Sequence, residues 1–202
     1  MPYLPDDREY RAMPMMTHMP EDTEEENYRV EGYATTFDDP YKLFTWEGVD
    51  YFEKIDRNAI DENTVMDDVI FQYDHEGMVY ARMHNNTLNV VPDEHGLKVV
   101  ADLSKTADAR NMYENIMSGN VYQMSWAFTV DKEDFDKDTH TRNVRHIKKM
   151  FDVSAVSIPA NPSTEISIAQ RSIQGAMEEL RREQETRERK IKTLKILAEV
   201  YK

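Results

Sequence analysis

The stretch Val121–Val130, VYQMSWAFTV, decides the fold because its residues divide into two unlike sets at the two-residue period of a β-strand. The large, apolar set is Tyr122, Met124, Trp126, Phe128 and Val130. The small, partly polar set is Val121, Gln123, Ser125, Ala127 and Thr129. Such a strand buries its large face in a core and holds Ser125 on the opposite face of a rigid element, where a functional side chain is well positioned. A serine on a solvent-facing strand surface is ordinarily a plain surface residue, so both interpretations of Ser125 stay open.

Short strand-like segments lie on both sides of this stretch. They are rich in β-branched and aromatic residues and are bounded by turn residues. The segments are Tyr28–Phe37, Lys42–Ile55, Val69–Tyr73, Val79–Met83, Leu88–Val91, Leu97–Leu103, Val144–Phe151 and Val153–Pro159. The pattern predicts a chain built mainly from β-strands.

Helical patterns are fewer. Apolar residues recur at helical spacing within Thr106–Ser118, and Gly119 follows as a stop, so we expect a helix there. Asp56–Asp61 resembles a short helical turn, and Asp131–Arg142 reads as a polar loop or hairpin tip. Many short strands with one helix favour a barrel or sandwich decorated by helices over a parallel sheet.

The two ends of the chain differ from this body. Residues 1–27 predict a flexible acidic N-terminal arm, apart from Tyr10–Met13. Residues 28–171 form the predicted domain, and residues 172–202 a C-terminal amphipathic helical tail. The tail has a heptad seam at Ile173, Met177, Leu180, Gln184, Arg187, Ile191, Leu194, Ala198 and Tyr201. So narrow an apolar stripe needs a partner, which is the body of the chain, a second copy, or another protein.

Composition excludes several classes of function. The net charge of −14 opposes a nucleic-acid surface, which needs clustered Lys and Arg. The absence of cysteine excludes disulfides, thiolate zinc sites and a cysteine nucleophile. Met1–Met16 lacks the pattern of a secretory signal, and no apolar run approaches the length of a membrane span, so we expect a soluble protein.

The histidines supply candidate chemistry. No pair of histidines has the HExxH spacing, and no GxSxG or glycine-rich phosphate loop occurs. His75 follows a predicted strand and precedes Gly77, at the kind of strand end where catalytic groups are commonly mounted. A serine nucleophile needs a base and a third group that orients the base. Ser125 and His75 are candidates for the first two roles, and Asp152, His146 and His140 are candidates for the third.

Five motifs give the chain a family resemblance from about Tyr28 to Ile168. They are EGYATTF, YDHEG, a TL-strand-turn-GL-strand hairpin, MSGNVYQMSWAF and FDVSAVSIPANP. In this order they resemble the tailed-phage prohead proteases, serine peptidases of capsid maturation that are distantly similar to herpesvirus assemblin. The resemblance implies an assemblin-like closed β-barrel decorated by helices, with no metal and no organic cofactor.

The resemblance also assigns roles to residues. It implies Ser125 as nucleophile, His75 as base and Asp152 as third member, with His146 as the alternative because herpesvirus relatives use a second histidine there. The sequence departs from relatives that have glycine in place of Met124 and glutamate in place of Asp152. By analogy, the backbone N–H groups of Ala160 and Asn161 are candidate oxyanion donors.

The function implied is a serine endopeptidase of prohead maturation that cleaves scaffold and capsid protein segments and itself. Its expected partners are the phage scaffold and major capsid proteins, with a homodimer as a further candidate, and without nucleic acid or membrane. The expected location is the host cytoplasm, inside the assembling prohead. The alternative is a non-catalytic capsid assembly or scaffolding protein that retains the barrel, and a remoter one is a metal-dependent hydrolase using histidine and carboxylate ligands.

Overall fold

The computed structural model describes residues 8–14, 28–157 and 162–200, which are mainly β-strand with two α-helices. The first strands are β1 Glu9–Pro14, β2 Arg29–Thr36, β3 Tyr41–Trp46, β4 Val49–Ile55 and β5 Ile70–Tyr73. The later strands are β6 Glu76–Arg82, β7 Leu88–Pro92, β8 Gly96–Asp102, β9 Gln123–Asp136 and β10 Thr141–Val156. The helices are α1 Ala107–Met117 and α2 Pro162–Val200.

The antiparallel pair of β9 and β10 is the centre of a seven-stranded sheet. At 16 residues, β10 is long enough to pair in parallel with β4 along Thr141–Val144 and with β5 along Asp152–Ala155. β1 pairs with the other edge of β9, and β6 continues the sheet beyond β5. The strand that carries Ser125 therefore lies between β1 and β10.

Three further strands form a second sheet in the order β2-β8-β7. Its buried side chains and one face of α1 join those of β9 and β10 in a common core. Thr106 begins α1 as its N-cap, since its side chain accepts a hydrogen bond from the Ala109 N–H at 3.1 Å. The N-cap and the helix limits confirm the predicted helix.

Most predicted strands are confirmed within a few residues. Asp131–Arg142 is the tip of the β9–β10 hairpin, one of the two alternatives predicted, and it is not a loop, since β9 continues to Asp136 and the turn before β10 is short. Asp56–Asp61 forms a single turn and no helix: the Asp56 carboxylate accepts the Asn58 backbone N–H at 2.9 Å, and the Asp56 carbonyl accepts the Ala59 N–H at 2.8 Å. β10 ends at Val156, and Pro159, where the predicted strand ends, lies outside the described residues.

Hydrogen bonding among the described residues forms these two sheets and does not close the strands into a ring, so the closed barrel stays a prediction. The chain divides into two compact units, residues 1–166 and 167–202. Helix α2 starts ten residues before the predicted tail, and the partner of its heptad seam also stays a prediction. Neither helix of the described chain carries an apolar stretch long enough to cross a lipid bilayer.

A buried ionic cluster ties β1 to the sheet. The Arg11 guanidinium contacts Glu53 and Glu9, each at 2.7 Å, and Arg142 contacts the same two carboxylates, each at 2.6 Å. Tyr41 donates a further hydrogen bond to Glu53. All four charged side chains are at most 7% exposed, so their mutual pairing compensates the cost of burial.

Candidate active site

His75 lies in the two-residue turn that joins β5 to β6. Asp74 and His75 both have positive φ, 48° and 59°, the pattern of a type I′ hairpin turn. Such turns favour Asn-Gly because residues with a Cβ are strained in the left-handed region, at a cost of about 1–3 kcal/mol each. A histidine in this position is therefore held there by its surroundings.

Ser125 lies on β9 and meets this turn. Its Oγ is 2.7 Å from His75 Nε2. The predicted division of faces is confirmed on the core side, where Met124, Trp126 and Phe128 are fully buried. Ser125 is fully buried as well, so its face does not meet solvent as the strand pattern suggested.

Asp152 lies on β10, beside β9, and its Oδ1 is 2.6 Å from His75 Nδ1. A β-bulge puts it there. Met150 pairs with Phe128 and Asp152 pairs with Ala127, so Phe151 is an extra residue in β10. Without this residue the alternation of β10 would turn Asp152 toward the core, and with it Asp152 shares the face of Ser125.

These contacts define a directed chain of hydrogen bonds. A carboxylate accepts and does not donate, so the proton of the imidazole ring lies on Nδ1 and points to Asp152. Nε2 then carries the free lone pair and accepts from the Ser125 hydroxyl. The ring is thus in the tautomer that can take a proton from the serine.

Ser154, two residues after Asp152, completes the surroundings of the histidine. Its Oγ lies 2.8 Å from Asp152 Oδ1, 3.2 Å from His75 Nδ1 and 3.3 Å from the His75 backbone nitrogen. Sequence analysis did not single out Ser154. Its position two residues from a candidate acid, on one strand face, was the available signal.

The strand β1 covers this site. Ala12 is paired with Ser125, and the Tyr10 ring meets the His75 ring edge-on, with 4.6 Å between the ring centroids. Strands therefore flank Ser125 on both edges of β9, and its side chain is fully buried.

The other sequence candidates lie elsewhere. The ring nitrogens of His146 face Asp131 Oδ1 at 2.5 Å and Asp61 Oδ1 at 3.2 Å. The His140 ring lies beside Tyr51, with 5.5 Å between centroids. The structure thus brings Asp152, and neither of these histidines, to His75 Nδ1.

Two predicted features remain to be placed. Ala160 and Asn161, the candidate oxyanion donors, lie outside the described residues. Across residues 8–14, 28–157 and 162–200, no group of three or more histidine, aspartate or glutamate side chains is arranged to hold a metal ion.

Comparison with known families gives a match over most of the chain. The sequence model of the caudovirus prohead serine protease family matches residues 15–179. The chain belongs to this family. Searches of curated proteins and of solved structures each returned no match.

Membership in the prohead serine proteases makes the protein a phage serine protease of capsid maturation. The matched range contains Ser125, His75 and Asp152, so the hydrogen-bonded chain lies inside the part of the protease that the family shares. Strand β1 precedes that range, so the strand that covers Ser125 is outside the family match.

Proposed function

We propose that the protein is the endopeptidase that cleaves scaffold and capsid protein segments inside the assembling prohead, and that it also cleaves itself. Ser125 is the nucleophile, His75 the general base and Asp152 the orienting acid of this proposal. One observation carries it: Ser125 Oγ, the His75 ring and Asp152 Oδ1 form a continuous chain with separations of 2.7 and 2.6 Å. Family membership supports the serine protease chemistry.

In the proposed mechanism the Ser125 Oγ attacks the scissile carbonyl carbon while His75 Nε2 takes the hydroxyl proton. Asp152 holds the Nδ1–H and stabilises the imidazolium that results. His75 then gives its proton to the leaving amine, and an acyl-enzyme ester remains on Ser125. A water molecule, deprotonated by the same nitrogen, attacks the ester and restores the hydroxyl.

The oxyanion of each tetrahedral intermediate needs hydrogen-bond donors. Backbone N–H groups of Ala160 and Asn161 are the proposed donors, since the neighbouring Pro159 and Pro162 have no N–H to offer. The proposed substrates are the scaffold and major capsid proteins, encountered in the host cytoplasm as the prohead assembles.

Co-expression of the protein with the neighbouring phage scaffold and capsid proteins tests the proposal, with intact-mass analysis of every chain. The wild type is expected to yield truncated products, and Ser125→Ala to yield none. Ser118→Ala is the matched control, because Ser118 is an exposed serine at the end of α1 and should leave cleavage unchanged.

The rival functions predict other outcomes. Products that persist in the Ser125→Ala sample would exclude the serine mechanism. Identical behaviour of Ser125→Ala and wild type, with no truncation in either, would favour the non-catalytic assembly protein. Cleavage that survives Ser125→Ala but stops with a chelator would favour the metal-dependent hydrolase.

A further inference from the structure

We infer that Ser154 is a positioning residue of the protease, which sets the orientation of both His75 and Asp152 through one buried hydroxyl. The inference rests on the proposed function, because it assigns Ser154 to the reaction of Ser125. Ser154 pairs with Ser125 across the β9–β10 ladder. Its own hydroxyl takes no part in bond making or breaking.

The hydrogen-bonding capacity of the Ser154 hydroxyl is fully used. A hydroxyl has one proton to donate and two lone pairs to accept with. The proton goes to Asp152 Oδ1 at 2.8 Å, because that carboxylate oxygen can only accept. The lone pairs face the His75 backbone N–H at 3.3 Å and the Nδ1–H at 3.2 Å. Each of the three contacts ends on a member of the proposed triad.

The contact with Asp152 fixes the plane of the carboxylate. Rotation about the last side-chain bond of aspartate is soft, so a carboxylate held by one partner can turn. Asp152 Oδ1 has two partners on different elements, the His75 ring and the Ser154 hydroxyl. Both select the same oxygen, so the carboxylate presents Oδ1 to Nδ1 in one orientation.

The contact with the His75 backbone holds a strained turn. His75 has a φ of 59°, and its N–H finds its acceptor in the Ser154 side chain. The neighbouring Asp74, with a φ of 48°, donates its N–H to the Ala155 carbonyl at 3.0 Å. Consecutive residues of β10 therefore pin consecutive residues of the turn, and Ser154 pins the one that carries the base.

Because the Ser154 side chain is buried, the loss of its hydrogen bonds should disturb the site. Ser154 is fully buried, as is Ser125 opposite it, so water cannot replace a lost hydroxyl without rearrangement. In Ser154→Ala the His75 N–H loses its acceptor, and Asp152 Oδ1 loses one of two donors. The ring and the carboxylate then gain freedom to leave the geometry that proton transfer requires.

The test compares Ser154→Ala and Ser154→Thr with the wild type, using a fluorophosphonate that reacts with activated serines. Its labelling rate is followed by intact mass. We expect Ser154→Ala to react about 10- to 100-fold more slowly, as small displacements in an active site do. Ser154→Thr keeps the hydroxyl on a strand that suits a β-branched residue and should recover most of the rate.

A second readout reports the geometry independently of turnover. We expect the Nδ1 proton between His75 and Asp152 to give a far-downfield proton NMR signal that His75→Gln removes. We expect Ser154→Ala to shift or broaden this signal and Ser154→Thr to preserve it. Thr141→Val is the matched control, because it removes a buried hydroxyl from the distant end of β10.

The possible results distinguish a failure of the Ser154 inference from a failure of the proposed function. The inference would be overturned if the probe labels Ser154→Ala as fast as the wild type and the downfield signal is unchanged. The proposed function would still stand in that case, provided that Ser125→Ala is not labelled. Equal losses of rate and of melting temperature in Ser154→Ala and Thr141→Val would reduce the effect to strand packing and also overturn it. Labelling that continues in Ser125→Ala would instead defeat the proposed function.

Discussion

Ala12 in β1 lies directly opposite Ser125 in β9, in antiparallel register. The nucleophile proposed for this protease is therefore covered along one edge by a strand from the start of the chain. The Tyr10 ring extends the cover over His75. Ser125 is fully buried, so a peptide bond can reach its Oγ only after neighbouring groups move.

We predict that Tyr10→Ala raises the rate at which a fluorophosphonate labels Ser125 severalfold, because the ring no longer packs on His75. Intact-mass analysis of timed samples measures the rate. Tyr122→Ala is the control, as Tyr122 is 54% exposed just before β9 and lies outside these contacts. A rate for Tyr10→Ala at or below that of the wild type would show that β1 does not limit access.

Asp152→Asn should lower the cleavage rate by about 10⁴-fold, as loss of the orienting carboxylate does in serine proteases. An amide can donate to Nδ1, which favours the tautomer that is unable to accept the serine proton. Asp152→Glu should retain far more activity, because a carboxylate one methylene longer still accepts from Nδ1. The measurement is single-turnover cleavage of co-purified capsid protein, and equal rates for Asn and Glu would argue against the orienting role.

Some features of the proposed site could be predicted from the sequence and others could not. The two-residue period of β9 was enough to put Ser125 opposite the core residues Trp126 and Phe128, since side-chain alternation is a local property. The approach of His75 to Ser125 depends on β5 pairing in parallel with β10, and strand pairing between distant segments leaves no local pattern. The position of His75 after a predicted strand made it the candidate base, and family resemblance then favoured Asp152 over the histidines as the third member.

Tertiary contacts also explain where the structure differs from the sequence predictions. The polar run after Val130 predicts a loop or a hairpin tip, and it forms the outer half of β9 because cross-strand partners satisfy its charges. Asn143 donates to Asp134 Oδ1 at 2.8 Å, and the Arg145 side chain pairs with the same carboxylate group. The position of β1 beside Ser125 depends on its charged residues Glu9 and Arg11, which find buried partners only in the folded chain.

His146→Asn should leave cleavage unchanged, because the His146 ring contacts Asp131 and Asp61, while His75 Nδ1 contacts Asp152. Single-turnover cleavage compared with that of Asp152→Asn measures the difference. A loss in His146→Asn as large as that in Asp152→Asn would return the third role to this histidine.

The same histidine should make stability depend on pH. The hydrogen bond to Asp131, with a further one to Asp61, raises the pKa of His146 above its ordinary value of 6.5. A pKa raised on folding contributes stability that is complete below pH 6.5 and is lost as pH rises through the folded value. Melting temperatures of wild type and His146→Asn should therefore converge from pH 6 toward pH 9. A difference in melting temperature that stays constant across that range would contradict the ionic role. Added salt should reduce the difference at pH 6, because both carboxylates are partly exposed.

The buried ionic cluster that anchors β1 predicts the opposite pH dependence, a loss of stability at acid pH. Burial acts to raise the pKa of Glu53, but the charges of Arg11 and Arg142 outweigh it and lower the pKa to about 2, from an ordinary 4.5. Stability from this depressed pKa is complete above pH 4.5 and disappears as pH falls toward 2. Glu53→Gln removes one partner from buried ion pairs and should cost about 3–5 kcal/mol of unfolding free energy at pH 7. The cost should shrink steadily below pH 4.5 in urea titrations, whereas the control Glu94→Gln, at an exposed turn residue, should change little at any pH. A Glu53→Gln cost that stays the same from pH 7 to pH 3 would mean that the Glu53 charge does not hold β1 in the sheet.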